Sequence, residues 1–280
     1  MGMSMRITDA QLHVWRPDTS EHPWPAGTHT FSHGPSMSAE DLVTLMDGAG
    51  VDRAVLVPPS WAGDSNDDCA DAARRYPERF AVAGRVPLHA PLTATQLAEL
   101  RDRWGLMALR FTFARGAAAG WMTDGTADWL WGAAEEIDIP VFIYAPGLAD
   151  QVDVVASAHP RLRLTLDHLM LATDWRDHEL TEPIAQTIAL ARHPNVSVKA
   201  SALHTFVTDG YPFRSLHSRL REVVDAYGPE RVFWGSDITR DTARYPEAVR
   251  MFTEGIDFLD ERSRRLILGE AISTHLGWSG

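Results

Sequence analysis

Polar side chains of the types that enzymes use for proton transfer stand at the ends of short apolar runs in this sequence. Asp237 follows one such run, 232–234, with only Gly and Ser between them. A carboxylate at the tip of a buried strand can act as a general base, or it can cap the helix that follows, and both interpretations are open. Other polar residues lie at or near the end of an apolar run in the same way: Gln11, His13, Arg110, Tyr144, Asp167, His168, Lys199 and Ser201. Together they offer the carboxylates, imidazoles and cations needed for acid–base chemistry and for binding an anionic group.

The apolar runs number eight and alternate with segments of helical length. They cover 6–15, 53–58, 80–88, 106–113, 140–144, 162–168, 196–201 and 231–237. Such alternation predicts a parallel sheet, and the count of eight favours a (β/α)8 TIM barrel that forms a single domain over 1–280. An open, doubly wound sheet is the alternative, but no Gly-x-Gly-x-x-Gly motif follows the first run. In a barrel the carboxyl ends of the strands meet at one mouth, so the polar candidates would converge there.

Cap signals mark where several helices begin and end. Ser38 opens a capping-box pattern that Gly48 and Gly50 close, and Thr93 opens another. The segment 16–36, by contrast, contains Pro, Gly, Ser and His without periodicity. We expect this segment to be a long first loop that covers the site. Spacing assigns no role to its three histidines, which are His22, His29 and His33.

The composition narrows the choice of partners. The 280 residues carry 26 basic and 38 acidic side chains, and this net charge of −12 argues against nucleic acid or an anionic membrane. An anionic substrate would need locally placed arginines, such as Arg110 and, in the loop after the eighth run, Arg240. Cys69 is the single cysteine, so no internal disulfide can form, and no apolar run is long enough to span a membrane. We expect a soluble, cytoplasmic protein that binds a small molecule, and both a monomer and a homo-oligomer are compatible with the sequence.

Six stretches, taken in chain order, are similar to the amidohydrolase-related barrels. The first, Gln11-Leu-His13-Val-Trp15, resembles the His-x-His motif that opens those barrels. The others resemble the fourth, sixth, seventh and eighth strands and the tail of the family: 105–113, 166–169, 196–201, 234–237 and 268–271. The pattern is most similar to that of the sugar-lactone and pyrone-dicarboxylate lactonases. The resemblance implies a hydrolase that opens a lactone or a related cyclic acyl compound by attack of water. A metal-dependent decarboxylase of the same superfamily and a catalytically inactive ligand-binding barrel are the alternatives.

The resemblance also suggests a role for each candidate residue. Asp237 would be the general base that takes a proton from water, while His13 and His168 would polarise the carbonyl group. Arg110, together with Arg240, would bind a carboxylate of the substrate. The remaining candidates for substrate binding are Gln11, Tyr144, Lys199 and Ser201.

The first histidine of the family motif is replaced by Gln11, and this change bears on metal binding. An amide oxygen is a poor ligand for zinc, so the candidate metal ligands are His13, His168 and Asp237, which with a water could hold one Zn or Mn ion. Arg110 stands where the resemblance expects a carboxylated lysine that bridges two metals, which argues against a two-metal site. We favour catalysis without a metal or other cofactor, a mode to which the pyrone lactonases offer a parallel. One divalent ion is the alternative.

Each candidate also has a purely structural interpretation. His13 would then be a core histidine that donates to a backbone carbonyl, and His168 would cap its strand. Arg110 and Lys199 would each pair with a buried carboxylate rather than with a ligand. Tyr144 would fill the barrel.

Overall fold

The computed structural model of the chain describes residues 5–24, 34–114, 116–240 and 242–279, without the side chains of Ala117 and Arg240. At its centre eight parallel strands pair with one another in chain order. The strands are β1 (Thr8–Leu12), β2 (Arg53–Leu56), β3 (Phe80–Gly84), β4 (Leu106–Thr112), β5 (Val141–Tyr144), β6 (Leu164–Leu166), β7 (Val196–Ser201) and β8 (Val232–Gly235). The backbone N–H of Asp237 donates to the carbonyl of Gln11 at 3.0 Å, so the chain after β8 meets β1 and nearly closes the sheet. The predicted (β/α)8 barrel is confirmed.

Among the residues that the structure describes, seven α-helices connect successive strands, and three more follow β8. They are α1 (Ala39–Ala49), α2 (Asp67–Arg75), α3 (Ala94–Trp104), α4 (Asp128–Glu136), α5 (Ala149–Ala158), α6 (Thr181–Ala189), α7 (His217–Tyr227), α8 (Tyr245–Arg250), α9 (Glu261–Arg265) and α10 (Ala271–Leu276). The predicted caps are confirmed, because Ser38 Oγ accepts from Asp41 N at 3.0 Å and Thr93 Oγ1 accepts from Gln96 N at 3.3 Å. Of the two glycines predicted to close α1, Gly48 lies within the helix. Gly50 ends it with φ of 74°, a left-handed conformation that glycine adopts without strain. No helix in the described part of the chain is long and apolar enough to cross a membrane.

The C-terminal segment fills one end of the barrel. Inward-facing strand residues, among them Phe142 and Phe233, form a buried apolar cluster with Ile272 of α10 and with Trp278. Trp278 also stacks against Arg53, the first residue of β2, with 4.7 Å between the guanidinium carbon and the ring centroid. The segment therefore closes the end where the strands begin, and the end where they finish is left for a ligand.

A close contact between this tail and β1 explains one glycine. A Cβ atom on Gly269 would lie 2.4 Å from the backbone oxygen of Arg6, a distance that side-chain carbons do not tolerate. Only a residue without a side chain lets the tail approach the first strand so closely.

The first loop is described at both of its ends but not in its middle. Trp15 and Met37 exchange two backbone hydrogen bonds of 3.0 Å each, which hold the two ends of the loop side by side. Trp24 packs against Trp61 with 4.8 Å between ring centroids. These contacts place aromatic side chains of two different loops together above the carboxyl ends of β1 and β2.

Candidate active site

A cavity of about 290 Å³ lies at the end of the barrel where the strands finish. Five of the residues predicted from the sequence belong to its wall: Gln11, His13, Arg110, Tyr144 and His168. Three tryptophans of the first two loops add an apolar side to the same wall: Trp15, Trp24 and Trp61. The volume is near the lower limit of small-molecule sites, so it suits a compact molecule with a single ring.

The imidazole of His13 lies between a backbone carbonyl and the carboxylate of Asp237. Its Nδ1 is 2.6 Å from Val57 O, and its Nε2 is 3.0 Å from Asp237 Oδ1. A carbonyl oxygen only accepts, so Nδ1 must carry a proton and donate it to that bond. The contact between Nε2 and Oδ1 then needs one further proton, present either on an imidazolium or on a carboxylic acid. The pair therefore holds one proton that either partner can carry.

His168 belongs to a strained turn directly after β6. His168 and Leu169 have φ of 55° and 52°, and left-handed values of this kind cost roughly 1–2 kcal/mol in residues other than glycine. The turn is held by Thr187 Oγ1, which donates to Leu169 O at 2.8 Å, and by the 2.8 Å contact between His168 Nδ1 and Ser201 Oγ. As a result, His168 Nε2 lies 3.9 Å from Asp237 Oδ2, too far for a hydrogen bond but close enough for one water to contact both.

Two cations converge on the buried carboxylate of Asp167. Arg110 Nε donates to Asp167 Oδ2 at 2.9 Å, and Lys199 Nζ lies 3.0 Å from Asp167 Oδ1. Burial by itself would raise the pKa of Asp167, but the two cations outweigh it and hold this pKa below its ordinary value. Lys199 also donates to Gln11 Oε1 at 2.9 Å. Arg110 and Lys199 thus pair with a buried carboxylate, as their structural interpretation expects, while Arg110 still reaches the cavity.

A second buried carboxylate, that of Asp9, is missed by the sequence reasoning. It accepts hydrogen bonds from Ser236 N at 2.9 Å, from Gln11 N at 3.0 Å, from Tyr245 Oη at 3.0 Å and from Ser236 Oγ. Burial raises the pKa of Asp9 to about 6, although these hydrogen bonds favour the charged form. Asp9 ties the residue before Asp237 to β1. The available signal was a charged residue in the middle of a run predicted to be a buried strand.

A buried guanidinium, that of Arg85, is also missed. It donates to Pro58 O at 3.0 Å and to Ser60 O at 3.3 Å, and so holds the segment that carries Trp61 into the cavity wall. Burial, together with the nearby positive charge of Arg110, lowers the pKa of Arg85 to about 9. Arg85 therefore adds to the positive charge around the site.

The structure brings eight of the nine predicted site residues together. Besides the five in the cavity wall, three lie directly behind it, each in contact with a wall residue: Asp237, Lys199 and Ser201. Tyr144 also donates from its hydroxyl to Leu171 O at 3.0 Å, so it has a structural role as well. Of the first-loop histidines, His22 is exposed and does not line the cavity. His29, His33 and the side chain of Arg240 fall outside the described part of the chain.

The candidate metal ligands His13, His168 and Asp237 do not form a metal-binding group in this arrangement. Within the ranges that the structure describes, no three His, Cys, Asp or Glu side chains are placed to hold a metal ion. His13 Nε2 and Asp237 Oδ1 bond to each other instead, and Lys199, whose ammonium contacts Gln11, puts a positive charge beside the motif. The reaction proposed below therefore uses the side chains of the protein alone.

Comparison with known proteins gives the family. Over 236 residues the chain is 26% identical to an L-fucono-1,5-lactonase of Burkholderia ambifaria. The aligned region covers 84% of this chain and 80% of that protein. Over 232 residues it is 27% identical to a 4-sulfomuconolactone hydrolase of Rhizobium radiobacter, and here the aligned region covers 82% of this chain and 74% of that protein. A crystal structure of an amidohydrolase from Burkholderia multivorans with bound zinc has the same fold, with a TM-score of 0.78 and 22% identity over 97% of this chain and 99% of that one. The model of one family, described as amidohydrolase, matches residues 8–271, and since this is nearly the whole chain, the protein belongs to the amidohydrolase family.

Proposed function

We propose that this amidohydrolase-family protein hydrolyses the cyclic ester bond of a small lactone. The observation that carries the proposal is the pair formed by His13 and Asp237, which shares one proton at the wall of a cavity of single-ring size. The similarity to two proteins named as lactone hydrolases, over most of the length of each, supports the same reaction. The alternatives, a metal-dependent decarboxylase and an inactive binding barrel, have no comparable support in the described site.

In the proposed reaction His13 carries the proton of the pair, so Asp237 is a carboxylate and acts as the general base. A water in contact with Asp237 attacks the carbonyl carbon of the lactone, and Asp237 takes one proton from that water. The carbonyl oxygen becomes an oxyanion, which His168 stabilises as an N–H donor and a protonated His13 stabilises through its positive charge. When the ring C–O bond breaks, the leaving oxygen takes the proton back from Asp237. One water is consumed, one hydroxy acid is formed, and the base returns to its starting state.

The hydroxyl of Ser201 prepares His168 for this role. The Ser201 Oγ lies 2.8 Å from His168 Nδ1, and a hydroxyl that donates to Nδ1 leaves the proton of a neutral imidazole on Nε2. This tautomer makes His168 Nε2 a donor on the side of Asp237, where the attacked carbonyl would lie. Ser201 would therefore act through His168 rather than on the substrate itself.

The charge around the cavity supports an anionic lactone. The His13–Asp237 pair shares a proton and is neutral as a unit, so it does not enter this count. The other buried charges near the site are three cations and two carboxylates, namely Arg85, Arg110, Lys199, Asp9 and Asp167. This surplus of positive charge is local, since the whole chain carries a net charge of −12. A substrate with one carboxylate or sulfonate group would neutralise it.

The test is an assay of chelator-treated enzyme on a panel of anionic and neutral lactones. Asp237→Asn should lower kcat by about 10²-fold or more while the fold persists, because the amide cannot accept a proton from water. Asp225→Asn, a matched change on the exposed face of α7, should retain full activity. Near-native turnover by Asp237→Asn would refute the assignment of the base. Release of CO₂ from aromatic acids by metal-loaded enzyme, or binding of lactones without turnover, would refute lactone hydrolysis itself.

A further inference from the structure

The two ends of the Gln11 side-chain amide have different surroundings. Gln11 is 1% exposed and belongs to the cavity wall. Its Oε1 accepts the 2.9 Å hydrogen bond from Lys199 Nζ, whereas its Nε2 has no hydrogen-bond partner among the described residues. A buried amide N–H₂ group without an acceptor is unfavourable, so the missing partner is an observation that needs a physical reason.

The chemistry of Lys199 determines which way this amide points. An ammonium group has three donors and no acceptor, so only the oxygen of the amide can face it. Lys199 itself cannot turn away, because its Nζ is also 3.0 Å from Asp167 Oδ1 and lies 4.0 Å from the ring centroid of Phe142. Asp167 is fixed in turn by Arg110 at 2.9 Å. The Gln11 Nε2 group is thereby held on the side of the amide opposite Lys199.

From these contacts we infer that Gln11 Nε2 is a preset hydrogen-bond donor to the carbonyl oxygen of the substrate, and that Lys199 is the positioning residue that fixes it. The inference rests on the proposed lactone hydrolysis and adds a donor to it. A carbonyl oxygen that becomes negative supplies the acceptor that Gln11 Nε2 lacks, and the interaction grows stronger as the charge develops. The positive charge on Lys199 polarises the amide and strengthens its N–H donor.

Gln11→Glu tests the donor directly. The glutamate has nearly the same shape and can still accept from Lys199, but it places an acceptor oxygen where the donor was. Gln11→Met removes both groups without adding charge. In both variants we expect kcat to fall by about 10²-fold, with a smaller change in KM, because the lost interaction is strongest in the transition state. Gln186→Glu, the same change on the exposed side of α6, should leave both constants unchanged.

The role of Lys199 is tested by a double-mutant cycle. Lys199→Gln should lower kcat in the wild-type background, because a glutamine can bond either end of the Gln11 amide and no longer fixes it. In the Gln11→Met background the same change should have little further effect on kcat, since there is no amide left to orient. Equal losses in both backgrounds would overturn the positioning role. If Lys199→Gln fails to fold, the two Gln11 variants decide the inference alone.

The outcomes separate this inference from the function on which it rests. If Asp237→Asn abolishes hydrolysis while Gln11→Glu and Gln11→Met keep wild-type kcat, the Gln11 donor is refuted and lactone hydrolysis is not. If the wild-type protein opens no lactone of the panel, the proposed function is refuted and this inference falls with it. A loss of kcat in both Gln11 variants, together with full activity of Gln186→Glu, would support the donor.

Discussion

Replacement of Asp9 by asparagine should change how the stability of the protein depends on pH. Burial raises the pKa of Asp9 from 3.8 to about 6 in the folded protein. Between these two values the folded state holds a proton that the unfolded chain has already lost, so Asp9 makes the folded state progressively less stable as the pH rises. Asparagine does not titrate, and the variant loses this dependence.

The magnitude follows from the two pKa values. A change from 3.8 to about 6, at about 1.4 kcal/mol for each pH decade, corresponds to about 3 kcal/mol. The free energy of unfolding of Asp9→Asn, minus that of the wild type, should therefore rise by about 3 kcal/mol between about pH 3 and about pH 8. Any constant effect of the new amide on Ser236 and Tyr245 cancels, because only the slope of the difference is used.

Urea unfolding of both proteins across this pH range measures the difference. Asp225→Asn, the same substitution on the exposed side of α7, serves as the control. A difference that falls as the pH rises would refute the reasoning. It would mean that the hydrogen bonds from Ser236, Gln11 and Tyr245 outweigh burial and lower the pKa of Asp9 instead.

Two further predictions concern the cavity and the metal. Arg110→Lys keeps the charge beside Asp167 but loses the planar set of N–H donors of the guanidinium group. In steady-state kinetics kcat/KM should therefore fall about 10-fold or more for an anionic lactone, and much less for a neutral lactone of equal size. Equal losses for both lactones would exclude Arg110 as the anion-binding group. Prolonged treatment with a chelator should leave kcat unchanged, and added zinc should not raise it, because the proposed steps use only side chains. Metal analysis of the treated and untreated protein completes the measurement, and activity lost on chelation and restored by zinc would contradict the prediction.

The strands and helix ends could be predicted from the sequence because their signals are local. The run 196–201 corresponds residue for residue to β7, and the boxes that begin with Ser38 and Thr93 cap α1 and α3 as predicted. Other runs extend beyond their strands, as 162–168 does beyond β6 (Leu164–Leu166). There the apolar pattern continues into the turn that carries His168, and hydrophobicity alone does not reveal left-handed backbone.

The residues of the site could be predicted from the sequence, but the hydrogen bonds between them could not. The barrel rule places residues such as His13 and Asp237 at one mouth, and they do lie together. Hydrogen bonds such as that between Asp9 and Ser236 join residues 227 positions apart, and no local pattern encodes which of several nearby donors a buried carboxylate will accept. The same holds for Lys199, whose structural interpretation anticipated a carboxylate partner but not its second bond to Gln11.

The apolar segment that closes the barrel at the start of its strands bears on how the protein is synthesised. This segment, with Ile272 and Trp278, follows all eight strands in the chain, so the ribosome releases it after them. Until it emerges, the inward faces of Phe142 and Phe233 have no cover at that end of the barrel. Nascent chains with such uncovered apolar surface are prone to aggregate and are bound by chaperones. The final packing of the barrel must therefore wait until the segment after β8 has been translated.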